Sequence, residues 1–391
     1  MRSFFDIIKE ELRIISVEKA IALTILIGPL MYAFFVGSVY WNKDLKSIPL
    51  AVVDLDQTPT TRTFARYVNS SPKAEIVSYE ESYADAYQKV KDLDVTGFIF
   101  FPKGFETNLK TGKAGDVMVY MNTTKFLPAN DLLVAIQEVS LTMGAGIRFK
   151  YFEKTGVPAD LAMQKALPLK AEVRSLFNPN ISYGDFLLPG IFLLILQQTL
   201  FLGIGQSISV TREKKWLAKL IDLSGGSYMK GFFAKSTFYM LLYIAYAIIF
   251  FGVIFQTFHV PMNGNVILIG LLTILFLFSM MSMGVFIGSL FKTQKFLMIF
   301  VAFTSYPLFL LSGFSWPIEY MPKVLQWLAL IVPANPYFRG IIRVTQMNGD
   351  WTQLSTMIIH LTLLTIFFFL LALIRMRYIY RKQELSIKED A

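Results

Sequence analysis

Long uncharged runs alternate with short basic segments along this chain, and one charged stretch divides them. Ala20–Asn42, Phe186–Thr211, Phe296–Ile318 and Trp351–Ile374 each hold at least 23 residues without Asp, Glu, Lys or Arg. Ser236–Phe291 stays uncharged for 56 residues, enough for two crossings with a turn at His259–Asn265, where proline, asparagine and glycine punctuate the run. A helix needs roughly 20 apolar residues to cross about 30 Å of hydrocarbon. The pattern therefore predicts six membrane-spanning helices. The first run is too long for a cleaved leader, follows four acids (Asp6, Glu10, Glu11, Glu18) and ends at the interfacial pair Tyr40–Trp41, so it reads as a retained span.

Between the first two spans the period changes. Ile48–Asp54, Ala74–Tyr79, Val95–Pro102 and Asp116–Met121 read as strands, and Thr60–Val68, Glu80–Lys91 and Asp131–Lys154 have helical spacing. Strands alternating with helical patterns indicate a small α/β domain. Farther on, Val324–Phe338 is uncharged for only 15 residues and contains Pro333 and Pro336. That is too short to span, which predicts a re-entrant or interfacial hairpin.

Two amphipathic pieces complete the pattern. Near the N-terminus, Phe4, Phe5, Ile8, Leu12 and Ile15 share one helical face, opposite Asp6, Lys9, Glu10, Arg13 and Ser16. A helix of this kind lies in the headgroup plane. In the loop after the second span, Trp216, Leu217, Leu220 and Ile221 form a stripe at helical spacing. Gly225–Gly226 stop the helix. The stripe suits a membrane-surface staple and a docking face for a partner equally well.

Composition and charge then fix orientation. Hydrophobic residues make up 54% of the 391 and charged residues only 17%, below the roughly one quarter usual for a soluble domain. Basic residues collect at Arg2–Lys19, Arg212–Lys235, Lys292–Lys295 and Arg375–Lys388, whereas the short loops on the other side hold only Lys323, Arg339 and Arg343. By the positive-inside rule, both termini are expected in the cytoplasm and the α/β domain outside. The net charge of +9 thus reflects topology and gives no reason to expect a nucleic-acid partner.

Several chemistries are excluded or weakened. There is no cysteine, so thiol catalysis, disulfides and zinc–thiolate sites fall away. The two histidines, His259 and His360, are too far apart for a metal site, and no metal is expected. A hydrogen-bonded structural role is favoured for His360 over a proton relay. Asp54 and Asp56 could suggest a metal or phosphoryl site, but Asp after a strand and before Thr-Pro reads better as a turn and helix cap. A P-loop needs a lysine after its second glycine. Gly226–Phe232 has phenylalanine there, so this chain is not expected to hydrolyse ATP.

The order amphipathic helix, one span, large outer α/β domain and five further spans resembles the permeases of type-2 ABC exporters. The likeness covers nearly the whole chain. It is carried by Val52–Asp56 with Thr60–Arg62, by Val95–Phe105 with Gly97 and Pro102, by Arg174–Pro179 followed by Pro189–Gly190, and by Leu311–Pro322 with Pro333–Tyr337. One departure is plain. The family's Glu-x-x-Gly-Thr and following proline are replaced by Glu213-Lys214-Lys215-Trp216 and by Ser224–Gly225, though Glu213 and Lys235 still match.

The resemblance implies a separate cytoplasmic ABC ATPase carrying ATP and magnesium, a second permease copy or a paralogue, a bacterial inner-membrane location and a periplasmic adaptor as a further partner. It implies that Arg212, Glu213, Trp216, Leu217, Leu220 and Lys235 couple to the ATPase. Gln197, Gln198, Thr304 and Ser305, in the second and fifth spans, would line the translocation path.

The expected architecture is an α-helical polytopic membrane protein with an inserted extracytoplasmic α/β domain. Its segments are a cytoplasmic amphipathic helix (1–19), the first span (20–42), the α/β domain (43–183), spans two to six (184–375) and a cytoplasmic tail (376–391). The coupling loop lies at 212–235 and the outer hairpin at 319–350. The expected function is outward movement of an amphipathic or hydrophobic substrate. A non-transporting signalling or mechanotransmission subunit is the alternative. A secondary transporter ranks third, because inverted repeats and broken helices are not evident.

Overall fold

The computed structural model describes residues 2–167 and 174–389. The chain divides into two compact units, Met1–Lys43 with Ser175–Ala391, and Asp44–Arg174. In chain order, α1 (Arg2–Val17) and α2 (Lys19–Val39) open the first unit. The second unit runs β1 (Ile48–Asp54), α3 (Pro59–Asn69), β2 (Ala74–Glu80), α4 (Tyr83–Lys91), β3 (Gly97–Phe101), α5 (Phe105–Lys110), β4 (Met118–Met121), α6 (Phe126–Lys154) and α7 (Ala159–Ala166). The first unit resumes with α8 (Tyr183–Glu213), α9 (Leu217–Leu223), α10 (Tyr228–Thr257), α11 (Val266–Leu290), α12 (Gln294–Leu311), α13 (Lys323–Ile331), α14 (Ala334–Met347) and α15 (Trp351–Glu389). The side chain of Lys388, one of the tail's basic residues, lies outside the described residues.

Seven described helices are long and apolar enough to cross a membrane: α2, α6, α8, α10, α11, α12 and α15. The expected number is six. The extra one is α6, a helix of the α/β unit, whose predicted start at Asp131 moves forward to Phe126. Inside α2 the hydrogen-bond ladder widens into a π-turn over Leu23–Ile27, just ahead of Pro29, which has no N–H to return to the preceding turn.

Glycine sets how closely α8 and α11 approach. A Cβ added to Gly288 would lie 2.6 Å from the Gly205 carbonyl oxygen, and one on Gly284 would lie 2.5 Å from the Ile204 side chain. Lipid tails are as apolar as leucine, so spanning helices associate through close backbone approach, which small residues permit. Around this crossing the core collects Phe192, Leu196, Phe201 and Ile204 of α8 with Leu272, Phe276, Met280 and Val285 of α11.

The predicted hairpin is two helices broken at Val332–Pro333. With 9 and 14 residues, neither α13 nor α14 is long enough to cross. The buried Asn335 side chain donates to the Ala329 carbonyl at 3.1 Å and closes the break. His360 of α15 places Nε2 2.8 Å from the Leu330 carbonyl, so the histidine ties α15 to this hairpin.

In the second unit, β1 pairs in parallel with β2 and β3, and β4 adds antiparallel to β3, giving the order β2-β1-β3-β4. Alternate residues of β1 face opposite sides. Leu50 and Val52 meet Phe64 and Val68 of α3 and Leu132 and Ile136 of α6, while Ala51 and Val53 meet Ala86 of α4 and Phe98. Short α5 was not anticipated, because its start depends on Gly104 at φ +84°, a backbone state only glycine adopts at no steric cost.

Asp54 and Asp56 are structural. Asp54 accepts from the Asp56 and Gln57 amides and from the Thr61 hydroxyl at 2.6 Å, and it braces the Thr58 capping box at the start of α3. Asp56 accepts from the Gly104 amide at 2.7 Å and the Glu106 amide at 2.9 Å, and so holds the start of α5. Burial pushes the Asp56 carboxyl up, but hydrogen bonds from Glu106, Gly104, Thr58 and Phe105 outweigh it and hold the group below its ordinary 3.8. Its stabilisation is therefore complete above that value and fades as the pH falls below it. Asp56→Ala is expected to cost about 1.5 kcal/mol. Faster hydrogen exchange at the Gly104 and Glu106 amides is the readout, and unchanged exchange would remove Asp56 from this role.

Candidate coupling site

The basic loop after α8 folds against α1. The amphipathic character of α1 is as the sequence predicts, but the buried face is rotated. Ile7, Ile14 and Ile15 are buried, whereas Phe5 and Leu12 are 59% and 46% exposed. At the centre of the buried face is Glu11, only 2% exposed. Its carboxylate pairs with Lys235 of α10, itself 2% exposed, and accepts from the Ser207 hydroxyl of α8 and from the Tyr239 hydroxyl at 2.7 Å. Lys235 also donates to the Thr211 hydroxyl at 3.2 Å. One acid on α1 thus joins two membrane-spanning helices through a desolvated network. Two charges removed from water persist only where partners satisfy their remaining lone pairs and protons, and this network supplies them.

A ring of more exposed pairs surrounds this centre. Glu10 pairs with Arg13 at 2.8 Å and with Lys219 of α9, and Glu18 pairs with Lys214. Trp216 is half-buried, with the Arg13 guanidinium 5.7 Å and the Lys214 ammonium 5.4 Å from its ring centroid. Exposed pairs individually contribute little. Their value here is to hold α9 and the turn before it against a helix that is already anchored.

The expected coupling residues divide accordingly. Leu217 and Leu220, read as a stripe needing an external cover, are buried, as is Ile221. They join the main core of this unit, which also takes in Ile7, Ile14 and Ile15 of α1. Lys235 is consumed by Glu11. Arg212 turns inward and donates to the Ser289 carbonyl and, at 2.9 Å, to the Phe291 carbonyl at the end of α11. Glu213 accepts from the Gln294 amide at 2.8 Å and caps α12. Arg212 and Glu213 therefore fasten the end of α8 to the α11–α12 corner. Trp216 keeps a partly open face. The helix predicted from the Trp216–Ile221 stripe begins at Leu217, and it ends in a Schellman motif, with the Gly226 amide on Ile221 and the Gly225 amide on Asp222, both 2.9 Å.

Of the residues expected along a translocation path, Gln198 and Ser305 meet: the Gln198 amide reaches the Ser305 carbonyl at 3.5 Å. Thr304 bonds back to Phe300 of its own helix at 2.9 Å. Gln197 is buried with neither amide atom partnered among the described residues. Sequence reading passed over Gln206, which is equally buried and unpartnered. A polar side chain inside an apolar run was the available signal. It passed over Glu11 in the same way, an acid on the seam of an amphipathic face.

A bundle of long apolar helices with a charged clamp at one end defines a multi-pass membrane protein. Comparison with known proteins gives the family. Residues 19–374 match the family described as ABC-2 family transporter protein, and the chain belongs to it. It is 24% identical over 388 residues to the inner membrane transport permease YhhJ of Escherichia coli, covering 96% of this chain and 97% of the relative. It is 23% identical over 376 residues to the linearmycin resistance permease protein LnrN of Bacillus subtilis, covering 90% and 94%. A shorter match, 28% identical over 165 residues, links 42% of the chain with 45% of the probable multidrug ABC transporter permease YbhR of Escherichia coli. The chain is a transmembrane permease subunit of an ABC transporter.

Proposed function

We propose that this permease exports an amphipathic or hydrophobic substrate, driven by a separate cytoplasmic ABC ATPase that carries ATP and magnesium and docks on the platform formed by α1 and α9. The observation that carries this reading is the Glu11–Lys235–Ser207–Tyr239 network, which makes that platform continuous with α8 and α10. A push on the platform is then a push on two spans. Phe186–Thr211 and Phe296–Ile318 contain no charged residue, which favours a neutral or amphipathic passenger over an ion. Outward direction is consistent with the relatives named for multidrug transport and linearmycin resistance.

In this reading six helices span the inner membrane, both termini are cytoplasmic, and α6 belongs to an extracytoplasmic domain. Supporting that placement, Leu132 and Ile136 of α6 are buried in the core beside the sheet. A second copy or a paralogue completes the membrane domain, and a periplasmic adaptor is a further partner.

Two measurements test this. Cysteines placed at Ser71 and Lys113 should react with a membrane-impermeant thiol reagent in intact cells, whereas one at Lys214 should react only after lysis; labelling at Lys214 in intact cells would reverse the orientation. Asp222 is exposed on α9, so Asp222→Arg with Trp216→Ala should reduce ATPase co-purification about tenfold or more, as loss of an aromatic anchor contributes about 2 kcal/mol. Full ATPase recovery with normally folded permease would remove α9 from the docking surface.

A further inference from the structure

At the C-terminal end of α8 lies a cavity of about 860 Å³. Five cations line it: Arg212 and Lys215 after the second span, Lys292 at the α11–α12 corner, and Arg375 and Lys382 on α15. The single lining acid, Glu213, already accepts from the Gln294 amide. Among the described residues, no carboxylate lies within ion-pair distance of any of the five cations. Elsewhere at the same end of the bundle, Arg13, Lys214, Lys219 and Lys235 all have acid partners. Arg212 and Arg375 converge on one acceptor, the Ser289 carbonyl, and the Arg375 Nε is buried without a partner among the described residues. Like charges this close need an anion to offset them.

The depth of the cavity identifies the anion. Arg212 follows the uncharged run ending at Thr211, Lys292 follows the run ending at Phe291, and Arg375 follows the run ending at Ile374. Three membrane spans therefore deliver their first cation at one level, where hydrocarbon gives way to headgroups. Leu290, Tyr378 and Leu385 line the same cavity and are exposed, which suits an occupant with an apolar part. Basic pockets between spanning helices on the cytoplasmic side bind anionic headgroups.

We infer that this cavity binds the phosphodiester headgroup of an anionic membrane lipid, with its acyl chains leaving along Leu290 and Tyr378. The lipid would bridge the end of α8 to α15 and so brace the corner that Arg212 and Glu213 fasten. This inference needs only a membrane protein, and it stands apart from the ATPase and export reading.

The test uses the purified full-length permease in phosphatidylcholine nanodiscs, titrated with phosphatidylglycerol and read by native mass spectrometry and thermal shift. Lys292→Gln/Lys382→Gln changes two exposed side chains and should leave the fold intact. It should weaken phosphatidylglycerol binding roughly twenty- to thirtyfold, since each basic residue near an anionic surface contributes about fivefold. The control pair Lys9→Gln/Lys230→Gln removes equal charge outside the cavity and should change binding less than twofold. Equal weakening by both pairs would mean diffuse surface charge and overturn the site. Inorganic phosphate competing at the same site with the affinity of the lipid would make it a free-anion site. Unchanged lipid binding with loss of a co-purifying ATPase would reassign the cations to an acidic partner surface.

Discussion

Replacing Lys235 with methionine is expected to cost about 3–5 kcal/mol and to leave most of the protein aggregated when extracted in mild detergent. The reason is the asymmetry of a buried pair. With the ammonium gone, the Glu11 carboxylate remains under α1 with only the Ser207 and Tyr239 hydroxyls to stabilise its charge. Glu11→Leu leaves the Lys235 ammonium similarly stranded, with Thr211 as its remaining partner. Removing both charges behaves differently. Glu11→Leu/Lys235→Met replaces the pair with apolar groups of similar size, which in buried pairs is often neutral. The double variant should therefore recover most of the stability lost by either single change. Thermal unfolding of the four proteins gives the interaction energy directly. Additive losses would show that the pair is not coupled, and that the α1 clamp depends on its isoleucines alone.

The double variant also separates stability from coupling. If it folds but no longer links ATP hydrolysis to transport, the charged network transmits movement. If it folds and transports normally, burial of Ile7, Ile14 and Ile15 is sufficient to carry the push.

The spans of the first unit were legible because crossing hydrocarbon demands some 20 uncharged residues, a condition read one residue at a time. The strands of the second unit were legible for a similar local reason: Val52-Val53 and Phe98–Phe101 are β-branched or aromatic runs bounded by turns. The phase of α1 was not. Periodicity assumes that an acid faces water, and Glu11 faces the core because its partner lies 224 residues away. The α9 stripe was located correctly, but an apolar face reveals only that something covers it. Here the cover is the chain's own core, and Trp216 is left at its rim. The extra apolar helix has the same origin, since α6 buries Leu132 and Ile136 beside a sheet and composition does not distinguish a sheet from lipid.

Substituting leucine for Gly288 is expected to prevent assembly of the bundle, with little folded protein recovered. The rigid nature of the obstruction decides the magnitude. A Cβ at Gly288 would meet the Gly205 carbonyl oxygen at 2.6 Å and its Cα at 2.7 Å, both backbone atoms that no rotamer change can move. By contrast, the atom facing Gly284 belongs to the Ile204 side chain, which can shift. Gly284→Ala should thus cost about 1–2 kcal/mol and Gly288→Ala about 3 kcal/mol, at the upper end for overpacking. Leucine at Gly288 must push α8 and α11 apart along their length, and neither hydrophobic drive nor water can refill the gap inside a bilayer. Glycines elsewhere in the bundle give the control. A Cβ on Gly270 of α11 or Gly252 of α10 meets nothing within 4 Å, so Gly270→Ala and Gly252→Ala should leave the melting temperature within a degree or two of the parent. Fluorescence-detected size exclusion of the set, expressed in parallel, ranks them in one experiment. A monodisperse Gly288→Leu protein with parental stability would mean that α8 and α11 do not touch at this crossing, and the core built around it would have to be redrawn.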